Sequence, residues 1–92
     1  YQTNPNSYYI VDSLAWAYFK KKNYSKALNL MEKVIIMAPG EAICLDHLGD
    51  IYFAINRKRE ASYLWKQAID LAEPDEEIKE KIIKKLQIYN DG

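Results

Sequence analysis

The chain has little of what most chemistry requires. It holds one cysteine, one histidine, three glycines and three prolines in 92 residues. A lone Cys44 excludes an intramolecular disulfide and leaves the redox compartment open. A lone His47 leaves no nucleophile–base–orienter set, because no motif places a serine or cysteine beside it. Three glycines make no phosphate-cradling loop. An excess of one charge is missing too. Thirteen Lys and Arg balance 13 Asp and Glu, so net charge calls for neither nucleic acid nor a membrane surface. No apolar run approaches the roughly 18 residues of a membrane span, and no signal peptide is visible. Apolar residues are abundant, at 49%. That is enough for the core of one small domain, best built from long helices with local contacts.

What is present is a pattern that returns after 34 residues. Leu14, Ala15, Tyr18, Ala27, Met31 and Val34 reappear as Leu48, Gly49, Tyr52, Ala61, Trp65 and Ala68. A fixed period of that length on helical spacing is the signature of a stacked helical repeat. Such units bury a core by stacking and present a surface, so the expected work is holding other proteins. Pro5 precedes Pro39 by the same 34 residues, and the first residue is Tyr1. Residues 1–7 therefore read as the remnant of a preceding repeat, and the chain as an excerpt from a longer protein.

Apolar spacing predicts five helices. The first runs from Ser7 to about Lys21, with Ile10, Val11, Leu14, Ala17 and Tyr18 on its stripe. Asn23 is set to cap a second helix, from about Tyr24 to Met37, which Pro39-Gly40 stops. The third spans about Glu41 to Ala54, and a turn at Ile55-Asn56-Arg57 leads to a fourth over about Lys58 to Leu71. Pro74 suits the first turn of a fifth. Asp75, Glu76 and Glu77 at its start and Lys84 and Lys85 near its end match the helix dipole. Its stripe is Ile78, Ile82, Leu86 and Tyr89, and Asn90-Asp91-Gly92 reads as a tail.

Small residues recur where antiparallel helices must approach: Ala15 and Gly49 in the first helix of each unit, Ala27 and Ala61 in the second. A larger residue there overpacks the contact, at a cost of roughly 1–3 kcal/mol. Ile83 occupies the same slot in the fifth helix. A capping helix has no following partner and needs no small residue there.

Leu45-x2-Leu48-Gly49-x2-Tyr52 followed by Ala61-x3-Trp65 resembles the tetratricopeptide repeat. Val11-x2-Leu14-Ala15-x2-Tyr18 with Ala27-x3-Met31 and Pro39 resembles a second copy. The resemblance implies an all-α, right-handed solenoid of antiparallel helix pairs. One repeat would cover residues 8–41 and another 42–75, with a capping helix and tail over 76–92. Departures are mild. Val11 and Leu45 stand for a favoured tryptophan, and Glu73 for the closing proline. Lys22 and Asn56 replace the glycine that ends the first helix in a left-handed conformation. Asn tolerates that conformation; Lys does so at a cost of order 1 kcal/mol. The stretches 10–18 and 46–52 also resemble the last two repeats of a group of multi-repeat bacterial proteins.

By this resemblance the first helix of each unit lines a concave face. That face would carry Tyr9, Asp12, Ser13, Trp16, Phe19 and Lys20, then Ile43, Asp46, His47, Asp50 and Phe53. Asp12, Trp16 and Phe19 share one ridge, and Asp46, Asp50 and Phe53 a matching one. The arrangement is an aromatic floor with three carboxylates, and aromatic anchors commonly carry peptide affinity. The same rings also suit packing between helices, and the acids an ordinary solvated face.

Some tetratricopeptide domains clamp a peptide's C-terminal carboxylate with lysine, asparagine and arginine. Asp12, Trp16, His47 and Asp50 stand at the matching places here, and the carboxylates among them would repel it. The expected partner is a protein or peptide, neutral or cationic, with an apolar anchor. Nucleic acid, membrane, cofactor and metal are not expected, since Asp46, His47 and Asp50 fall short of a convergent zinc set. Cys44 reads as a small semi-buried residue with no basic neighbour to activate it. Lys20-Lys21-Lys22 and Arg57-Lys58-Arg59 lie at the two hairpin turns as a basic edge, or as solvated turns serving the helix dipoles. The alternative role is a structural C-terminal cap or self-association element. Tyr8, Ile10 and Ala17 would then be bare and would draw two fragments together through their N-terminal ends.

Overall fold

The computed structural model describes residues 7–73 and 77–91. Five helices follow one another: α1 (Ser7–Lys20), α2 (Tyr24–Met37), α3 (Ala42–Ala54), α4 (Lys58–Leu71) and α5 (Glu77–Asp91). Among the described residues there is no strand. α1 packs on α2 and α3 on α4 as antiparallel hairpins, α2 packs on α3, and α5 closes on α4. The architecture is the all-α stack of helix pairs that the 34-residue period implies.

Local chemistry sets the breaks. Asn23 caps α2 by accepting from the Lys26 N–H at 3.5 Å. Lys22 and Asn56 both adopt positive φ, 65° and 68°, in the left-handed region that ends α1 and α3. Behind them the Asn23 and Arg57 N–H groups donate to the carbonyls of Tyr18 and Tyr52 at 2.9 and 2.8 Å. The two hairpin turns are thus built alike, by residues of unequal fitness for the conformation.

The core has two parts. Ala15, Ala27, Met31 and Val34 are fully buried with Cys44 and Ile51, and Leu48 is buried beside them. Leu45, Ala61, Trp65 and Ala68 form a second part with Ile82 of α5. The small slots are not equivalent. A Cβ placed on Gly49 would lie 2.6 Å from Trp65 Cδ1, so the indole, more than the neighbouring backbone, demands glycine there. The first unit meets the same need with Ala15 and the slimmer Met31, both fully buried.

Three expectations are corrected. Leu14 is 48% exposed although its counterpart Leu48 is 5% exposed, because α2 packs on the α3 face and no described helix covers the same face of α1. Tyr8 is not bare; it is buried and stacked on Tyr9 at 4.2 Å. The fifth helix continues to Asp91 with no basic residue in its last turn, so Asn90 and Asp91 are helical and Lys84 and Lys85 fall mid-helix. Leu86, on the expected stripe, packs against the second core part. The expectations for Tyr1, Asn4-Pro5, Pro74, Asp75 and Glu76 fall outside the described residues.

Candidate functional site

The face built by α1, α3 and α5 gathers most of the residues singled out from the sequence. Asp12 and His47 meet across the two units, His47 Nδ1 lying 2.9 Å from Asp12 Oδ1. Trp16 stacks on His47 at 4.3 Å and on Phe19 at 4.7 Å. Phe19 leans on Tyr24 at 5.6 Å, which extends the row of rings into α2. One turn of α1 separates Asp12 from Trp16, and another brings Phe19 round, so helical spacing alone aligns the row. His47 then joins it from α3.

The other two carboxylates are held from α5. Lys85 Nζ reaches Asp46 Oδ1 at 2.8 Å and Asp50 Oδ1 at 2.9 Å, and lies 5.8 Å from the centroid of the Trp65 ring. Burial raises the Asp50 carboxyl above the usual range and nearby Asp46 adds to this, against the pull of Lys85. Burial alone would lower Lys85, but its bonds to Asp46 and Asp50 outweigh that, and its pKa stands above the usual lysine value. Asp46 also accepts the Trp65 indole N–H on its backbone carbonyl, at 3.3 Å.

Beside this ion pair lies a pocket of about 320 Å³, walled by Phe19, Phe53, Ala54, Trp65 and Ile88 above Asp50 and Lys85. That is within the size range of small-ligand and side-chain pockets. Four helices contribute to it. Its lining is apolar but for one internally matched pair of charges, so it suits an apolar group.

The remaining candidates lie apart. Tyr9 is exposed beyond its stack with Tyr8, Ile43 is exposed at the start of α3, and Ser13 and Lys20 are exposed on α1. Lys85 and Ile88 were missed by sequence reasoning. Lys85 carried a signal: with Ile78 and Ile82 it falls on the apolar stripe of α5, where a cation must find a carboxylate. Ile88 carried none. Cys44 is fully buried, and burial, with Asp12 and Glu41 nearby, pushes its thiol up to about 12. Among the described residues no three His, Cys, Asp or Glu side chains converge on a metal position. No helix among them is long and apolar enough to cross a membrane.

The sequence model of the tetratricopeptide repeat matches residues 10–38 and 42–73. No curated protein sequence matches the chain. Among solved structures, the crystal structure of a tetratricopeptide repeat domain protein from Salinibacter ruber is similar, with a TM-score of 0.82 and 23% identity. The similarity covers 96% of this chain and 97% of that one, and at that identity it speaks for the fold.

Proposed function

The chain belongs to the tetratricopeptide repeat family, whose repeats generally mediate protein–protein interaction, and on that premise we propose a non-catalytic docking module. Its docking surface is the α1–α3–α5 face. A partner segment places an apolar side chain between Phe19, Phe53 and Ile88. The row of Trp16, Phe19 and His47 supports the segment alongside. The observation that carries this reading is the pocket itself: an open apolar site walled by aromatic rings from separate helices. Exposed rings held rigid by stacking lose little entropy when a partner covers them.

The carboxylates enter differently from the sequence expectation. Asp46 and Asp50 are engaged by Lys85, and Asp12 by His47. They hold the face together before any partner arrives, so a cationic anchor has no vacant acid to meet. The fitting anchor is neutral and apolar.

Selection from a displayed library of random peptides of about 12 residues tests this. Binders sharing one large apolar residue are expected. Phe53→Ala should weaken them about tenfold while circular dichroism stays unchanged. A selection that enriches nothing defeats the reading.

A second reading rests on a different observation. Ile10 is 73% exposed and Leu14 48% exposed on one side of α1, where the repeat plan places a helix against α3. A second copy of the chain is a suitable occupant, giving self-association through this end. Sedimentation should show dimers that Ile10→Asp abolishes. A monomer at high concentration overturns the reading.

A further inference from the structure

Six cations stand at the two hairpin turns: Lys20, Lys21 and Lys22 where α1 ends, and Arg57, Lys58 and Arg59 where α4 begins. The fold brings these turns to one edge. α1 and α3 run side by side in the same direction, since Asp12 meets His47 near their middles and Phe19, Phe53 and Ala54 share one pocket near their ends. Only Arg57 is matched locally, by Glu60 at 2.8 Å. Lys20, Lys21, Lys22, Lys58 and Arg59 are exposed, and none makes an ion pair among the described residues.

The edge begins at the pocket. Lys58 Nζ lies 5.5 Å from the centroid of the Phe53 ring, and Phe53 walls the pocket. Lys20 follows Phe19, the opposite wall. The helix termini here do not explain the cluster, because α1 and α3 end at this edge while α2 and α4 begin at it, and their dipoles oppose. The side chains therefore carry the local field. Since the whole chain is neutral, the excess at this edge is segregation of charge, which directs a partner and sets its register more than it adds bulk attraction.

We propose that this basic edge receives an acidic stretch of the protein partner whose apolar anchor fills the adjoining pocket. The inference rests on the docking reading above and adds the chemistry of the flanking residues. One side of the anchor is acidic, aligned along Lys58, Arg59 and Lys20 to Lys22. The other side passes over the Trp16 row, where Lys85 is already held by Asp46 and Asp50 and offers an acidic flank no free cation. A nucleic acid fits less well. Its phosphates need a continuous cationic track, and here the cations stop against an apolar pocket with three carboxylates beyond it.

The peptide selection is repeated with charge as its readout. Asp and Glu should be enriched on one side of the apolar residue. The affinity of a selected peptide should fall several-fold between low and physiological salt. The exposed double variant Lys20→Glu/Lys58→Glu, checked for an unchanged melting transition, should lose the acidic enrichment and bind the same peptide about tenfold more weakly. Apolar enrichment with neutral or basic flanks overturns this inference and leaves the pocket reading standing. No enrichment at all removes both. A single-stranded DNA oligonucleotide that binds more tightly than the selected peptides also overturns it.

Discussion

Gly49 and Trp65 occupy one space: a side-chain carbon on the first would stand 2.6 Å from Cδ1 of the second. The helix is weakened by glycine so that the indole can enter, donate to the Asp46 carbonyl and wall the pocket. The first unit resolves the same crossing with Ala15 and Met31. Gly49→Ala is therefore expected to destabilise by about 1–3 kcal/mol through overpacking, although alanine favours a helix by about 1 kcal/mol. In a Trp65→Met background the same change should be neutral or stabilising. Urea denaturation of the four proteins checks this, and additivity of the two changes would defeat it.

Leu14 and Leu48 hold the same place in their repeats but not the same environment. Leu48→Ala should cost about 2–5 kcal/mol as a core deletion. Leu14→Ala should cost under about 1 kcal/mol, because nearly half of its surface already meets water. Thermal melts of the two variants at low protein concentration separate them. Equal losses would mean that Leu14 is covered in solution.

Lys22 carries a left-handed backbone without glycine's freedom. Lys22→Gly should raise stability by about 1 kcal/mol. Asn56→Gly should change it by only a few tenths, since asparagine tolerates that region. A shift in melting temperature for the first and almost none for the second is the expected result.

Lys85 ties the last helix to the third, with its side chain 31% exposed and those of Asp46 and Asp50 at 10% and 18%. Lys85→Met should cost about 1–3 kcal/mol at neutral pH, less than for a fully buried pair because water still reaches the amine. Restoring neutrality with Asp46→Asn and Asp50→Asn should recover part of the loss. The pH dependence has a definite sign. A lysine whose folded-state pKa is raised above 10.5 contributes its full stability below that value and loses it as pH rises through the raised one. The gap between wild type and Lys85→Met should hold steady up to pH 10.5 and close above it. A gap that widens with alkali would show the pairing to be misassigned.

Cys44 should be inert while the chain is folded. A thiol pushed up to about 12 and fully buried supplies almost no thiolate at neutral pH. Alkylation by iodoacetamide should be slow in buffer and become fast in denaturant. Rapid labelling of the folded protein would contradict the burial.

The helices were legible because their causes are local. The apolar period, the Asn23 cap, the Pro39-Gly40 stop and the left-handed turns at Lys22 and Asn56 depend on residues within a turn or two of each other. α2 and α4 accordingly begin and end where the pattern places them. The end of α5 lies two residues further than expected, because Asn90 and Asp91, which read as a tail, continue the helix.

By itself, then, the order of amino acids determined the fold class, the repeat length and the row of side chains on each helix face, since a 34-residue period and a helical turn are properties of the chain alone. Only the tertiary structure decided which of those side chains meet. Asp12 finds His47, Lys85 takes two carboxylates, and Phe19, Phe53, Trp65 and Ile88 enclose one pocket, across separations that no helical spacing encodes. The physical reason is that an ion pair or a cavity exists between elements. Its members are chosen by how helices pack, and packing is settled by the whole core at once.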